Sequence, residues 1–201
     1  DGKQWVLNGS KQFITNIGLN FSLAVVAAVS GRDNKGKNII NTFIVPKGTS
    51  GFIVGRKYDK IGLHSSPTHE LIFEDCRLAA DCLLGEPGWG LAQHLTAPQT
   101  GRLSIAACSV GLAQACLNAA LAYARERFQF GRPIIEFQGI SFKLADMAVA
   151  IELARLMYLK AAWLKDKGLP YTFEVSVAKL FASEMVEKVA SDAVQIHGGY
   201  G

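Results

Sequence analysis

Four short stretches of this 201-residue chain carry side chains that could hold a ligand. Arg125-Glu126-Arg127-Phe128-Gln129-Phe130-Gly131-Arg132 sets three arginines and two phenylalanines side by side. A guanidinium is a planar, permanently charged fork that suits phosphate. The plain alternative is a solvated helix end, where the helix dipole favours arginine. Gln195-Ile196-His197-Gly198-Gly199 ends in paired glycines, which let backbone approach a ligand closely or simply cap a helix. Gln99-Thr100-Gly101-Arg102 is polar and basic and reads as the opening of a helix. Phe13-Ile14-Thr15 sets an aromatic ring and a hydroxyl at a strand end; the plain alternative buries Phe13 and Ile14 in a core.

Other chemistries lack their residues. His64 and His69 are near each other, but no cysteine or third histidine completes a metal site, so no metal is expected. There is no P-loop, Gly85-x-x-Gly88-x-Gly90 is not a dinucleotide fingerprint, and no G-x-S-x-G elbow occurs. The net charge of +4 is mild and spread along the chain, compatible with anionic ligands but not calling for nucleic acid. Cys76, Cys82, Cys108 and Cys116 form no C-x-x-C pair, which favours a reducing compartment over a disulfide framework. No apolar run reaches the ~18 residues of a bilayer crossing, so no membrane span is expected. The start at Asp1-Gly2-Lys3 without Met and the stop after a glycine cluster both read as cut ends, leaving any targeting segment out of view.

The elements that must position these residues fall into two kinds. With 49% hydrophobic and 19% charged residues, the chain can build a substantial core. Residues 1–84 read as β. Trp5-Val6-Leu7, Asn8-Gly9 and Phe13-Ile14-Thr15 read as strand, tight turn and strand. Leu23 to Val29, Thr42 to Val45, Phe52 to Val54 and Leu71 to Phe73 are further short strands, with a turn at Asp33-Asn34-Lys35-Gly36. Near-regular short strands predict a small antiparallel barrel or sandwich. Residues 85–201 turn helical after Gly85 to Gly90. Apolar residues step by three and four from Ile105, from Ile140 and from Ala178, with breaks at Gly131-Arg132-Pro133 and Lys167-Gly168-Leu169-Pro170. Leu153, Leu156, Leu159 and Trp163 add a second apolar face, as in a bundle or an oligomer interface. The fold class expected is α+β: a small antiparallel β-barrel, then a four-helix-bundle type of domain represented by three long helices.

Taken together the stretches resemble the acyl-CoA dehydrogenase family, most closely its short- and medium-chain branches, over nearly the whole chain. Trp5 to Asn16 is similar to the family's W-x-L-N-G-x-K-x-W-I-T-N, with Phe13 in place of the second Trp. Leu71-Ile72-Phe73-Glu74-Asp75-Cys76 with Leu84-Gly85-Glu86, then Gly101-Arg102 through Val110-Gly111-Leu112-Ala113-Gln114 to Leu144-Ala145-Asp146-Met147, and Gln195 to Gly201 follow in the family's order.

The resemblance implies an N-terminal helical domain preceding this stretch, FAD bound between subunits of a homotetramer or homodimer, and conversion of an acyl-CoA substrate to its 2-enoyl-CoA. Electron-transferring flavoprotein is the implied acceptor, and the bacterial cytoplasm or mitochondrial matrix the implied location. Phe13, Ile14 and Thr15 would face the flavin ring. Arg127 would pair with the pyrophosphate, Phe130 pack against the cofactor, and Gln138, at the family spacing from Arg127, add a contact. Gln195, Ile196, His197, Gly198 and Gly199 would meet the adenosine side. Gln99, Thr100, Gly101 and Arg102 would line the acyl-CoA site; Gln99 stands where many relatives carry Asp, and His64 where relatives commonly have Arg. The base of the family is a glutamate at one of two places. One is matched here by Gly101, which cannot act as a base. The other lies in a Y-E-G-T-like segment expected beyond Gly201, so no catalytic residue is assigned within the chain. The other readings are a related flavoprotein oxidase or monooxygenase and a non-catalytic interaction module.

Overall fold

The structure is a computed structural model that describes residues 4–18 and 20–201; the chain start at Asp1-Gly2-Lys3 lies outside the described residues. The chain divides into two compact units, residues 1–96 and 97–201.

Among the described residues the first unit holds five strands: β1 (Gln4–Thr15), β2 (Leu23–Arg32), β3 (Asn38–Pro46), β4 (Phe52–Lys57) and β5 (Thr68–Ala79). They form two antiparallel sheets, β1-β5-β4 and β2-β3. Alternation explains the burial: along β2, Ala24 and Val26 face inward while Leu23 and Val25 face outward. The sheets share one core around Phe43, Val45, Leu71, Phe73, Cys76 and Leu78. Phe52 stacks on Phe73 at 5.2 Å between ring centroids, and Trp5 meets Phe43 edge-on at 5.2 Å.

Asn8-Gly9 corrects one sequence expectation. It is not a turn between two strands but lies within the single strand β1, opposite a bulge in β5. Leu7 pairs with Cys76 and Gly9 with Phe73, so Glu74 and Asp75 of β5 stand opposite Asn8 alone. The Asn8 side chain closes the irregularity from both sides. Its Nδ2 donates to Asp75 Oδ1 at 3.1 Å, and its Oδ1 accepts the Asp75 backbone N–H at 2.7 Å. Gly9 takes φ +133°, which a side chain rarely adopts. The bulge also shifts the phase of β5, whose inward residues run Leu71, Phe73 and then Cys76, Leu78.

The turn at Asp33 forms as expected, its Oδ1 accepting the N–H groups of Lys35 and Lys37 at 2.8 and 2.9 Å. Gly51, at φ +78°, sits where a Cβ would collide with the Glu74 carbonyl.

Three long helices follow: α1 (Gly90–Glu126), α2 (Gln138–Asp166) and α3 (Thr172–His197). Between α1 and α2 lie two-residue strands β6 (Phe128–Gln129) and β7 (Arg132–Pro133). The core of residues 97–201 gathers Val110, Leu144, Met147, Ile151, Val189 and Ile196 with many alanines. The breaks read from Gly131 and from Gly168-Leu169-Pro170 fall between the helices, as expected.

α1 differs from expectation in two ways. It begins at Gly90, so Gln99 to Arg102 lie in its interior, after Pro98, rather than at its opening. It is also long and apolar enough by length and composition to cross a membrane, although no uninterrupted apolar run is present, because alanines raise its mean hydropathy. That is weak evidence for a span, since Ala106, Val110, Ala113, Ala120 and Ala124 of the same helix are fully buried in the protein core.

Candidate cofactor and ligand sites

In the β unit, Phe13 does not enter the core. It is 67% exposed with φ +58°, at a second register shift of β1 between Lys11 and Ile14. Its ring packs on Tyr58 at 4.7 Å, and the Arg56 guanidinium covers the same tyrosine at 4.9 Å. Ile14 is half-buried against the core. Ile14 and Thr15 line a cleft of about 460 Å³ together with Lys11, Leu23, Val25 and His94. His64 lines a different, more open cleft of about 960 Å³, with Lys57, Phe52 and His69. His69 Nδ1 lies 3.2 Å from the Gly55 carbonyl oxygen. Among the described residues, no three His, Cys, Asp or Glu side chains converge as a metal site. Burial, with Cys82 nearby, pushes the Cys76 thiol up, away from the thiolate a nucleophile needs.

In the helical unit, the stretch around Arg127 is more than a helix end. α1 stops at Glu126 and the chain makes a two-residue hairpin: Phe130 and Gly131 both have positive φ, +54° and +79°, the signature of a type I′ turn. The backbone N–H of Ile134 donates to the Arg127 carbonyl at 2.8 Å, holding the hairpin's base. Phe130, 91% exposed, meets Phe137 edge-on at 6.2 Å, and the Arg132 guanidinium lies over the Phe137 ring at 4.1 Å. Phe137 is the N-cap residue of α2, and Gln138 is that helix's first residue. The hairpin and the start of α2 are therefore one packed assembly.

The Gly-Gly stretch joins it through Tyr123. Arg127 N–H donates to the Tyr123 carbonyl at 2.9 Å, and the Tyr123 ring stacks on His197 at 4.7 Å. His197 Nδ1 lies 2.8 Å from the Ala193 carbonyl oxygen. A carbonyl can only accept, so Nδ1 donates this hydrogen bond. Ile196 is buried; Gln195, Gly198 and Gly199 are exposed. Gly198 ends α3 at φ +60°, and a Cβ at Gly198 or Gly199 would meet nothing within 4 Å. Neither Tyr123 nor Phe137 was singled out from sequence. Each was detectable as an aromatic beside a singled-out residue, Tyr123 one helical turn before Arg127 and Phe137 directly before Gln138.

These residues fit a pyrophosphate by the chemistry of their donors. Arg127 supplies a guanidinium. No side chain caps α2 and no acidic residue lies in its first turn, so the dipole's positive end stays available to an anion, with the Ile140 N–H already donating to the Phe137 carbonyl at 2.9 Å.

Gln99 and Thr100 are engaged within the helical unit. Gln99 Nε2 donates to Thr172 Oγ1 at 3.1 Å, and Lys165 Nζ donates to Thr100 Oγ1 at 3.3 Å. Gly101 and Arg102 are exposed, with open space beside Gly101. Elsewhere, Asp192 bridges Lys143 at 2.7 Å and Lys188 at 2.9 Å. Burial alone would raise the Asp192 pKa, but the two lysines outweigh it and hold the carboxyl below its ordinary value.

Known proteins match this chain over its whole length. Residues 87–201 match the acyl-CoA dehydrogenase C-terminal domain, and residues 1–76 the acyl-CoA dehydrogenase middle domain. A probable acyl-CoA dehydrogenase, YngJ, of Bacillus subtilis is 52% identical over 201 residues, which is 100% of this chain and 53% of that protein. The mitochondrial short-chain specific acyl-CoA dehydrogenase of Rattus norvegicus is 46% identical over 100% of this chain and 48% of its own length. The butyryl-CoA dehydrogenase structure from Megasphaera elsdenii superposes with a TM-score of 0.91 at 44% identity, covering 98% of this chain and 51% of that one. The chain thus spans about half the length of the curated relatives it matches. With both domains matched in order and a solved relative sharing the fold, the chain belongs to the acyl-CoA dehydrogenase family.

Proposed function

We propose that the protein containing this chain is an FAD-dependent dehydrogenase that converts a short-chain acyl-CoA to its 2-enoyl-CoA. The observation that carries the reading is the convergence of Arg127, the uncapped start of α2 at Gln138, and the His197-Gly198-Gly199 turn at one end of the helical unit, joined by Phe137 and Tyr123. This end is built for the phosphate-bearing half of the cofactor. Arg127 pairs with the pyrophosphate and Gln138 adds an amide donor. Phe130 covers an apolar part of the cofactor. Gln195, Ile196, His197, Gly198 and Gly199 form the adenosine side, the two glycines leaving room for close approach. In the β unit, Phe13, Ile14 and Thr15 hold the ring. A bound flavin supplies a two-electron acceptor for the hydride leaving the carbon β to the thioester.

Arg102 and Gly101 lie on the acyl-CoA side, while Gln99 and Thr100 act there through the bonds that fix α1. Removing an α-proton requires a carboxylate base and donors that stabilise the developing enolate. We assign that base to a glutamate outside residues 1–201, since Gly101 cannot serve. Electron-transferring flavoprotein as acceptor, a homotetramer or homodimer, and a bacterial cytoplasmic or mitochondrial-matrix location complete the reading.

The test is FAD titration of the complete, flavin-depleted protein. Arg127→Ala should weaken FAD binding at least tenfold, matching loss of one charge-assisted pair at ~1.5–3 kcal/mol. Unchanged affinity in a folded Arg127→Ala protein would remove Arg127 from the site. Rapid reaction of the reduced flavin with oxygen would favour the oxidase reading over the dehydrogenase.

A further inference from the structure

We propose that His94 is a further ligand-contacting residue of the β unit, whose imidazole donates to the bound flavin ring and favours its electron-rich, reduced form. The inference rests on the reading that Ile14 and Thr15 face that ring. His94 lines the same cleft of about 460 Å³ as those two residues, although it lies on α1 and they lie at the end of β1. The volume falls within the ~300–1,000 Å³ usual for small-molecule sites.

The lining has a definite chemistry. Leu23 and Val25 supply apolar walls and are 46% and 51% exposed. Among the described residues, Lys11 and His94 are those there able to carry positive charge, and no acidic side chain lines the cleft. The His94 side chain is exposed and, among the described residues, takes part in no hydrogen bond or ion pair, so its ring N–H is unspent. An apolar-walled cleft with idle donors and no carboxylate suits a flat, apolar ligand rimmed by electron-rich atoms. A reduced flavin ring carries more negative charge than the oxidised ring. A donor beside it, against low-dielectric walls, therefore stabilises the reduced form more than the oxidised one.

The experiment uses the complete protein loaded with FAD, comparing wild type, His94→Ala and His94→Gln. The readout is the midpoint potential of the flavin, followed by its visible spectrum during reductive titration. His94→Ala should weaken binding of reduced relative to oxidised FAD about tenfold, a lowering of ~30 mV for a two-electron couple. His94→Gln, which keeps an N–H donor, should fall between that variant and wild type. A second measurement needs no variant to fold well. The His94 imidazole resonance in the wild-type NMR spectrum should shift when FAD is added to the flavin-depleted protein. An unmoved potential in flavin-loaded His94→Ala, or an unmoved His94 resonance on FAD binding, would overturn the role of His94 while leaving the FAD reading intact. Failure of the wild-type protein to take up flavin would overturn the FAD reading itself.

Discussion

In the β unit large side chains point inward: Phe43 is 1% exposed, Leu71 1% and Phe73 4%. In the helical unit Ala113, Ala120, Ala154, Ala178 and Ala182 are inaccessible at 0%, while Trp163 at 56%, Leu156 at 63% and Phe173 at 73% face outward. Alanine at helix contacts lets helices approach closely, and it displaces bulk to the outer faces. The β unit builds its core from large groups such as Phe43, Leu71 and Phe73. The helical unit presents apolar surface of the kind that marks interfaces, which supports the proposed assembly of subunits. Phe13 is exposed in the β unit, as are Ile61 and Leu63, and it lies in the proposed flavin-facing stretch.

The sharpest way to break this contrast is truncation of the β core. Phe43→Ala should destabilise the protein by ~3–5 kcal/mol, because it deletes a buried ring and leaves a cavity. Denaturant unfolding monitored by β-specific circular dichroism measures it, and a loss under ~1 kcal/mol would show that the core is not organised around Phe43. The helical unit should respond to the opposite change. Ala178→Leu overfills a close helix contact and should cost ~1–3 kcal/mol, whereas a neutral result would mean that the helices have room to spare.

How far the sequence alone led depended on the range of the signals. Helix breaks at Gly131 and Pro170 and the Asp33 turn are set by neighbours, and they were legible. Asn8-Gly9 was not, because what sets it opposite a bulge is Asp75, 67 residues away. Pattern could not choose between a hairpin and a bulge without that partner. The start of α1 was missed because Pro98 and Gly101 look like helix-opening residues. In the candidate site, Arg127, Gln138 and the paired glycines were legible as motifs. Their meeting through Tyr123 and Phe137 was not, and neither was the placement of His94 beside Thr15.

Asp192 sharpens the account of the helical unit electrostatically. Its carboxyl is partly desolvated, but Lys143 and Lys188 hold its pKa below the ordinary carboxylate value of about 4. A depressed folded-state pKa adds stability above the unfolded pKa, and that stability is lost as pH falls through the folded value. Asp192→Asn should therefore lose about 1 kcal/mol at neutral pH, with Lys188 largely solvated, and should show a flatter acid limb below pH ~4. Parallel acid limbs in wild type and variant would contradict it.

The smallest effect belongs to the β unit. Thr42 Oγ1 is buried without a hydrogen-bond partner. Thr42→Val, of nearly the same shape, should be neutral or stabilising by up to ~1 kcal/mol in thermal unfolding, and clear destabilisation would reveal a bound partner such as an internal water.

The most direct test of the central claim is the visible spectrum of the complete purified protein during anaerobic addition of butyryl-CoA. The account predicts a flavin spectrum that bleaches as the thioester is oxidised. A protein that carries no flavin and takes up none from added FAD, or a flavin spectrum that no acyl-CoA changes, would contradict it.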